Sequence, residues 1–290
     1  GESPELQRVT REQAIAQLPL HRPASTHKYK MGHLLLVCGS RRYAGGALLA
    51  GLGARASGMG MLTIAAPASL KPILTSHLPE ALVVDCPETE AGAISHLPVH
   101  LDLNHYQAIA CGPGLTTEPT SLVQQMIASD RPLVLDADGL NILSEMGVIA
   151  TLQQRSATTI LTPHLGEFRR LFPKLGSEIP CRVTATRIAA QQSGAVVLLK
   201  GARVTIADPS GAVRINSDST PALARGGSGD VLTGLTGGLL AQMNPHQTPI
   251  DITQAAAWWH AVAGKQAAQA RTELGVDAFT LTQYLIPALR

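Results

Sequence analysis

The chain has 290 residues, of which 45% are apolar and only 15% charged, so it can build a large core and is not disordered as its main state. Its 23 Lys and Arg against 21 Asp and Glu leave a net charge of +2, which argues against a dedicated nucleic-acid-binding protein, since such proteins carry a strong basic excess. Four widely separated cysteines indicate reduced, mostly buried thiols rather than a disulfide framework or a zinc site. Apolar stretches end before the roughly 18 residues of a membrane span, and no signal peptide is apparent, so we expect no membrane contact and a cytoplasmic location.

β-rich and helical patterns alternate along most of the chain. Residues 1–27 are polar and proline-punctuated, and we expect a leader that packs on the surface of a single domain, residues 28–290. Short β-rich runs then predict strands and longer stretches predict helices. The expected strands are 34–38, 62–66, 108–111, 133–136, 159–162 and 196–200, and the expected helices are 44–57, 119–127, 166–172, 183–193, 229–242 and 251–270. Residues 204–207 and 212–215 flank a turn-forming segment and predict a hairpin.

Near-continuous apolar strands separated by helices predict a mostly parallel sheet with helices on both faces, a three-layer α/β/α sandwich. In such sheets ligands bind beyond the carboxyl ends of the strands, so the residues that follow the strands are the candidates for a site. Neither a Walker A loop nor a Gly-x-Gly-x-x-Gly after a strand occurs in the chain.

A glycine-rich segment late in the chain is the most informative of these places. Gly226, Gly227, Ser228 and Gly229 precede Asp230 and an apolar helix. Glycines let backbone N–H groups turn inward, and a helix N-terminus adds partial positive charge, so the segment predicts an anion hole. Asp230 is either a first-turn acid that complements the helix dipole or a general base that takes a proton from an attacking hydroxyl. We favour the general base.

The segment Thr162-Pro163-His164-Leu165-Gly166-Glu167-Phe168 follows a predicted strand and starts a helix. Pro163 stops the strand, so His164 and Glu167 are expected at the carboxyl end of the sheet. His164 is either a capping residue or a substrate contact. Glu167 is either an ordinary first-turn acid or an indirect ligand that organises Mg²⁺ and phosphate through water.

The basic segment 200–204 ends one strand and begins the hairpin. Lys200 and Arg203, with Gly201 between them, can bind nucleotide phosphate or ribose, whereas a solvated basic turn is the plainer interpretation. Further along, Trp258-Trp259-His260 suggests an aromatic box, but core packing on a long helix is the better interpretation.

Three weaker signals also follow predicted strands. The turn 43–47 has small residues that let a flat ligand pack on backbone, and Gly112 and Gly114 allow close approach of a ligand. Asp136 and Asp138 either support a metal or an active-site network or are turn caps.

Taken in order, these segments resemble one family, the NAD(P)H-hydrate dehydratases, which form the dehydratase half of the YjeF-type proteins. The Gly-x-Gly-Asp helix start also resembles the wider ribokinase-like superfamily. The motifs that carry the resemblance are K-x-x-x-G-H from Lys28 to His33, the turn 43–47, Gly112-Pro113-Gly114, DADGLN from Asp136, TPHLGEF, KGARV and GGSGD.

The resemblance implies a ribokinase-like fold and a lyase that repairs NAD(P)H hydrate (NADHX or NADPHX) at the expense of ADP or ATP with Mg²⁺. It implies that Asp230 is the catalytic base, that the protein is a homo-oligomer, specifically a tetramer, and that an epimerase is its fused or functional partner. Carried over by position, the hydrate site includes Gly46, Ala47, Gly114, His164 and Asp230. The nucleotide site includes Lys200, Gly201, Ala202, Arg203, Val204 and Gly229.

This chain departs from the family pattern in three places. Thr116 stands where the family has a last glycine, and Ser219 and Ala222 replace two more. Arg225 stands where the family typically has threonine and adds a guanidinium beside the anion hole. This guanidinium either tightens phosphate binding or obstructs it, so the nucleotide preference depends on it. The alternatives to a dehydratase are a small-molecule kinase of the same superfamily and a non-catalytic nucleotide-binding protein.

Overall fold

Ten strands run through the centre of the molecule within residues 5–290, which are the residues that this computed structural model describes. They are β1 (Leu6–Arg8), β2 (His33–Val37), β3 (Met61–Pro67), β4 (Leu82–Cys86), β5 (Ala108–Cys111), β6 (Leu133–Leu135), β7 (Thr159–Leu161), β8 (Val196–Leu199), β9 (Val204–Ala207) and β10 (Val213–Asn216). They form one sheet in the order β1-β10-β9-β8-β7-β6-β5-β2-β3-β4. Among these ten strands only β9 is antiparallel to its neighbours, so the predicted mostly parallel sheet and its β9–β10 hairpin are confirmed.

Helices cover both faces of this sheet. They are α1 (Arg11–Ala16), α2 (Ala44–Ala56), α3 (Lys71–His77), α4 (Thr120–Ala128), α5 (Asp138–Met146), α6 (Val148–Leu152), α7 (Leu165–Leu171), α8 (Pro173–Glu178), α9 (Arg182–Ser193), α10 (Ser228–Leu240), α11 (Pro249–Arg271) and α12 (Ala278–Tyr284). Because side chains alternate along a strand, Leu34 and Leu36 of β2 pack in one core with α2, α10 and α11, whereas Leu35 and Val37 pack in a second core with α4, α5 and α9. The predicted three-layer α/β/α sandwich is therefore confirmed.

Helices α2 and α10 pack with their backbones in close contact. A Cβ atom added at Gly234 of α10 would lie 1.8 Å from the carbonyl oxygen of Ala50, and one added at Gly53 of α2 would lie 2.1 Å from that of Val231. Only glycine fits at such distances. This contact fixes the start of α10 relative to the turn that follows β2.

The described part of the predicted leader contributes to the sheet. Strand β1 lies parallel to β10 at the edge, and α1, which begins with a capping box between Thr10 and Gln13, packs on α11. Residues 1–4 of the predicted leader lie outside the described residues. The predictions for several side chains are confirmed: Cys38, Cys86 and Cys111 are buried free thiols, although Cys181 is exposed, and Trp258 and Trp259 are core residues. Across residues 5–290, no helix combines the length and the apolar character that crossing a membrane would require.

Candidate active site

The carboxyl ends of the parallel strands meet the start of α10 at one edge of the sheet. Gly227 is the N-cap of α10 and adopts φ 87°, a left-handed conformation that favours glycine. A Cβ atom at Gly227 would lie 2.4 Å from Cδ1 of Leu49, so a side chain at this position would also require the Leu49 side chain to move. The predicted glycine turn is thus present, and it leads directly into the first turn of a 13-residue helix.

Asp230 lies in that first turn and is partly buried. Burial raises the pKa of its carboxyl from 3.8 to about 7, and the nearby carboxylate of Asp136 adds to this, whereas the Lys200 ammonium opposes it. A carboxylate with a pKa near neutrality suits a general base, because it accepts a proton readily and still returns it. The environment of Asp230 thus favours the general-base interpretation over that of a helix-dipole acid.

Asp136, directly after β6, is the centre of a buried polar network. Its side chain is 1% exposed, and Oδ1 accepts a hydrogen bond from Nζ of Lys200 at 2.7 Å, while Oδ2 accepts one from the hydroxyl of Thr233 at 2.6 Å. Burial alone would lower the pKa of Lys200, but the carboxylates of Asp136 and Glu167 outweigh it and raise that pKa. Lys200 therefore stays charged, and the network ties β6 and β8 to α10.

The neighbouring Asp138 holds the turn after β5. Its Oδ2 accepts a hydrogen bond from the backbone N–H of Thr116 at 2.8 Å. Thr116 has φ 67°, which a glycine would adopt without strain, and this explains why the family pattern has glycine there. Ala137, between the two aspartates, also has a positive φ, 48°, and backbone strain of this kind is common at functional sites.

His164 and Glu167 form a capping box at the start of α7. Nδ1 of His164 accepts hydrogen bonds from the N–H groups of Gly166 and Glu167, and Oε2 of Glu167 accepts one from the N–H of His164 at 2.7 Å. The capping role that the sequence left open is thus present for both residues. Glu167 is buried, which raises the pKa of its carboxyl, and its Oε2 lies 3.8 Å from Nζ of Lys200.

Two cavities lie on either side of the glycine turn and share no lining residue. The larger has a volume of about 800 Å³ and a mostly apolar wall. Its lining includes His164, Lys200, Gly201, Ala202, Val204, Asp218, Leu223, Arg225, Ser228, Gly229, Leu232, Ala257 and His260. The smaller has a volume of about 430 Å³ and is lined by Arg42, Tyr43, Gly45, Gly46, Leu49, Gly114, Asp138, Gly226, Gly227 and Asp230. The start of α10 is therefore the wall between two ligand-sized spaces.

The structure brings most of the predicted site residues together and separates a few. Several of them line neither cavity: Ala47, Gly112, Asp136 and Glu167 are buried, and Arg203 is exposed. His164 itself lines the larger cavity, although the resemblance groups it with the hydrate. The other residues expected in the hydrate site, the nucleotide site and the anion hole line one cavity or the other, with Lys200, Gly201, Ala202 and Val204 on one side and Asp230 on the opposite side.

Sequence reasoning missed two polar residues that hold the site in place. Thr233 was simply part of an apolar helix, and only its hydrogen bond to Asp136 reveals a role. His260, assigned to the core, is indeed buried, but its Nε2 also lies 2.9 Å from the carbonyl oxygen of Ser228. Burial lowers the pKa of His260 to about 4, so it is neutral and can donate that bond to the turn. Its position three turns into α11 gives no local signal of this contact.

Metal ligands are scarce at this edge of the sheet. Residues 5–290 contain no group of three His, Cys, Asp or Glu side chains that could hold a metal ion, and both carboxylate oxygens of Asp136 and Oε2 of Glu167 already accept hydrogen bonds from protein donors. A divalent cation fits here only where the phosphate oxygens of a nucleotide and water supply most of its ligands, which is a coordination that Mg²⁺ often keeps.

Comparison with known sequences identifies relatives whose names agree with one another. A family model described as NAD(P)H-hydrate dehydratase matches residues 34–287. The bifunctional NAD(P)H-hydrate repair enzyme Nnr of Synechocystis sp. is 54% identical over 100% of this chain and 55% of its own length. The ADP-dependent (S)-NAD(P)H-hydrate dehydratase of Bacillus subtilis is 37% identical over 80% of each protein. The chain thus spans about half the length of the bifunctional relatives that it matches.

Solved structures give the same result for the fold. The crystal structure of the ADP/ATP-dependent NAD(P)H-hydrate dehydratase of Bacillus subtilis, obtained with ATP and Mg²⁺, has a TM-score of 0.81 and 31% identity and covers 98% of this chain and 97% of that one. A ribokinase-like superfamily protein of Enterococcus faecalis has a TM-score of 0.80 at 23% identity, covering 98% and 96%. The expected ribokinase-like fold is confirmed.

Proposed function

The chain belongs to the NAD(P)H-hydrate dehydratase family, and from that premise we propose that it removes water from the S-epimer of NAD(P)H hydrate while consuming a nucleotide. The donor that we propose is ADP, which would yield AMP and phosphate. The observation that carries the proposal is Asp230, a partly buried carboxyl with a pKa of about 7 at a helix N-terminus between two cavities. The family also favours this reaction over a small-molecule kinase or a non-catalytic nucleotide-binding protein.

The two cavities suggest how the ligands divide. The larger, mostly apolar cavity suits the adenosine part of the nucleotide, with its terminal phosphate at the backbone N–H groups of Gly226 to Gly229. The smaller cavity suits the hydrated nicotinamide ring, with its C6 hydroxyl near Asp230. In this arrangement, Asp230 lies beside the hydroxyl that must lose a proton, and the oxygen of that hydroxyl faces the phosphoryl group that it attacks.

The proposed reaction has two steps. First, Asp230 takes the proton of the C6 hydroxyl, and the oxygen attacks the terminal phosphorus, which releases AMP. Second, the lone pair of the ring nitrogen expels the phosphate from C6, and loss of a proton from the adjacent ring carbon restores the dihydropyridine. Phosphate is a better leaving group than hydroxide, which is why the nucleotide is needed.

The remaining polar residues would hold the charges in place. The ammonium of Lys200 lines the larger cavity and is fixed by Asp136, so it can face phosphate without moving. His260 holds the carbonyl of Ser228 and with it the N–H groups of the turn. Bound Mg²⁺ would neutralise the charge that develops on the phosphate oxygens, with Glu167 as an indirect partner through water.

Three wider features belong to the same proposal. On the resemblance alone we propose that the protein is a homo-oligomer, specifically a tetramer, and that an NAD(P)H-hydrate epimerase is its functional partner. The bifunctional name of the Synechocystis relative supports such a partner. The location that we propose is the cytoplasm, whose reducing conditions suit the buried free thiols.

The test is the recovery of reduced-nicotinamide absorbance from purified NAD(P)H hydrate. The protein is incubated with Mg²⁺ and, in parallel, with ADP, with ATP or without nucleotide. We expect recovery with ADP and none without nucleotide, and we expect the Asp230→Asn variant to lose turnover while it still binds nucleotide. No recovery with either nucleotide, or equal turnover in the Asp230→Asn variant, would contradict the proposal.

A further inference from the structure

Arg225 is the side chain through which this chain departs most from its family at the larger cavity. It lines that cavity immediately before the glycine turn and is exposed. A guanidinium has five N–H donors in a planar fork, a shape that matches phosphate oxygens. In this structure its Nη2 donates to the carbonyl oxygen of Leu274 at 2.9 Å, which leaves other donors for a ligand.

The guanidinium of Arg225 differs from the other charged groups around the larger cavity because no opposite charge in the described part of the chain compensates it. Lys200, the other cavity-lining cation, is 2.7 Å from a carboxylate oxygen of Asp136 and 3.8 Å from one of Glu167, so its charge is largely compensated. The carboxylate of Asp218, also in the lining, is paired with Lys265 at 2.6 Å. Among the described residues, no carboxylate lies within ion-pair distance of Arg225. It therefore contributes an uncompensated positive charge to a cavity that we assign to an anionic nucleotide.

The bond to Leu274 gives Arg225 a defined position. Leu274 lies in the connection between α11 and α12, where its own side chain is 85% exposed, so the connection offers its backbone rather than a packed side chain. Holding one amino group reduces the rotamer freedom that an exposed arginine would lose on binding a ligand. Arg225 is thus partly ordered before a nucleotide arrives.

We propose that Arg225 is a nucleotide-phosphate ligand, which binds the phosphate groups of the donor from the rim of the larger cavity while the backbone carbonyl of Leu274 orients it. This inference rests on the proposed function for the placement of the nucleotide, and it specifies which cation sets the affinity. It also means that the guanidinium tightens phosphate binding rather than obstructing the anion hole.

The test is direct binding of adenosine, AMP, ADP and ATP, measured by calorimetry with Mg²⁺ and without hydrate, so that dehydratase activity plays no part. The variants are Arg225→Thr, which has the residue of the family pattern, and Arg225→Lys, which retains the charge without the fork. Arg271→Ala, an exposed arginine that does not line the cavity, is the matched control. Circular dichroism verifies that each variant is folded.

We expect Arg225→Thr to weaken ADP binding about tenfold at low salt, the loss expected for one exposed charge-assisted contact. The loss should be absent for adenosine, should grow with the number of phosphates, and should shrink at high salt. Arg225→Lys should lie between the parent and Arg225→Thr. Equal ADP affinity in Arg225→Thr and the parent, or an equal loss in Arg271→Ala, would overturn this inference alone. Failure of the parent to bind any adenine nucleotide would overturn the proposed function and this inference with it.

Discussion

Replacing Asp230 by Asn should abolish turnover and, at the same time, stabilise the folded chain above neutral pH. The structure raises the pKa of Asp230 from 3.8 to about 7 because the carboxyl is buried beside other carboxylates. The folded state therefore binds a proton more tightly than the unfolded state does. In this case the stability contributed by the group is complete below pH 4 and is lost as the pH rises towards 7.

The magnitude follows from the two pKa values. Each tenfold change in proton affinity is worth about 1.4 kcal/mol, so the ionised Asp230 carboxylate destabilises the fold by about 4 kcal/mol at pH 8. At pH 5 most of this cost is absent because the folded carboxyl is still protonated. The stability gain of Asp230→Asn should therefore be larger at pH 8 than at pH 5 by about 3 kcal/mol.

Urea unfolding followed by circular dichroism measures this difference for the parent and the variant at both pH values. Asp85→Asn, a change to an exposed carboxylate on β4 that pairs with Lys71, controls for the introduction of an amide and should retain full activity. A stability gain that is the same at pH 5 and pH 8 would refute the reasoning, because it would mean that burial does not shift the pKa of Asp230.

Three further outcomes follow from the same site. Gly227→Ala should lose turnover and about 2 kcal/mol or more of stability, because φ is 87° at this position and the Leu49 side chain occupies the space of the added Cβ atom. The control Gly226→Ala, with no atom within 4 Å of the added Cβ, should fold normally. Equal unfolding midpoints for the two variants would contradict this prediction. Lys200→Met should lower the free energy of unfolding in urea by about 3 to 5 kcal/mol, because it leaves Asp136 as an unpaired buried charge. Adding Asp136→Asn should recover part of this loss. A double variant no more stable than Lys200→Met would count against the network. The value of kcat/KM should rise with pH up to about 7 as the free enzyme's base ionises, and a flat profile from pH 5.5 to 8.5 would exclude that base.

Most of the sheet and half of the described helices could be predicted because their patterns are local, whereas strands β1 and β4 and the shorter helices, such as α3 and α12, were not predicted. The strands β2, β5, β6, β7 and β8 are short, apolar and bounded by turn residues, so each is recognisable without its neighbours. Strand β1 could not be predicted, since Leu6–Arg8 has only one apolar residue and becomes a strand through its pairing with β10. Its conformation depends on a segment about 200 residues away.

The site also has a part that the sequence predicts and a part that it does not. The glycine turn and Asp230 could be predicted because the chemistry lies within five consecutive residues. The buried network could not, because Asp136, Lys200 and Thr233 come from three distant segments and meet only when the sheet forms. The separate places of His164 and Asp230 in two cavities also depend on how α10 docks on α2, which no local pattern encodes.

The wall that α10 forms between the two cavities has a kinetic consequence. In the proposed arrangement each ligand has its own cavity, and the two cavities share no lining residue, so neither ligand would have to leave before the other enters. The phosphoryl group would pass from one bound molecule to the other across the helix end, without a covalent enzyme intermediate. The rate would then follow the simultaneous occupancy of both cavities, so the speed of repair would depend on adenine nucleotide concentration as well as on the amount of damage.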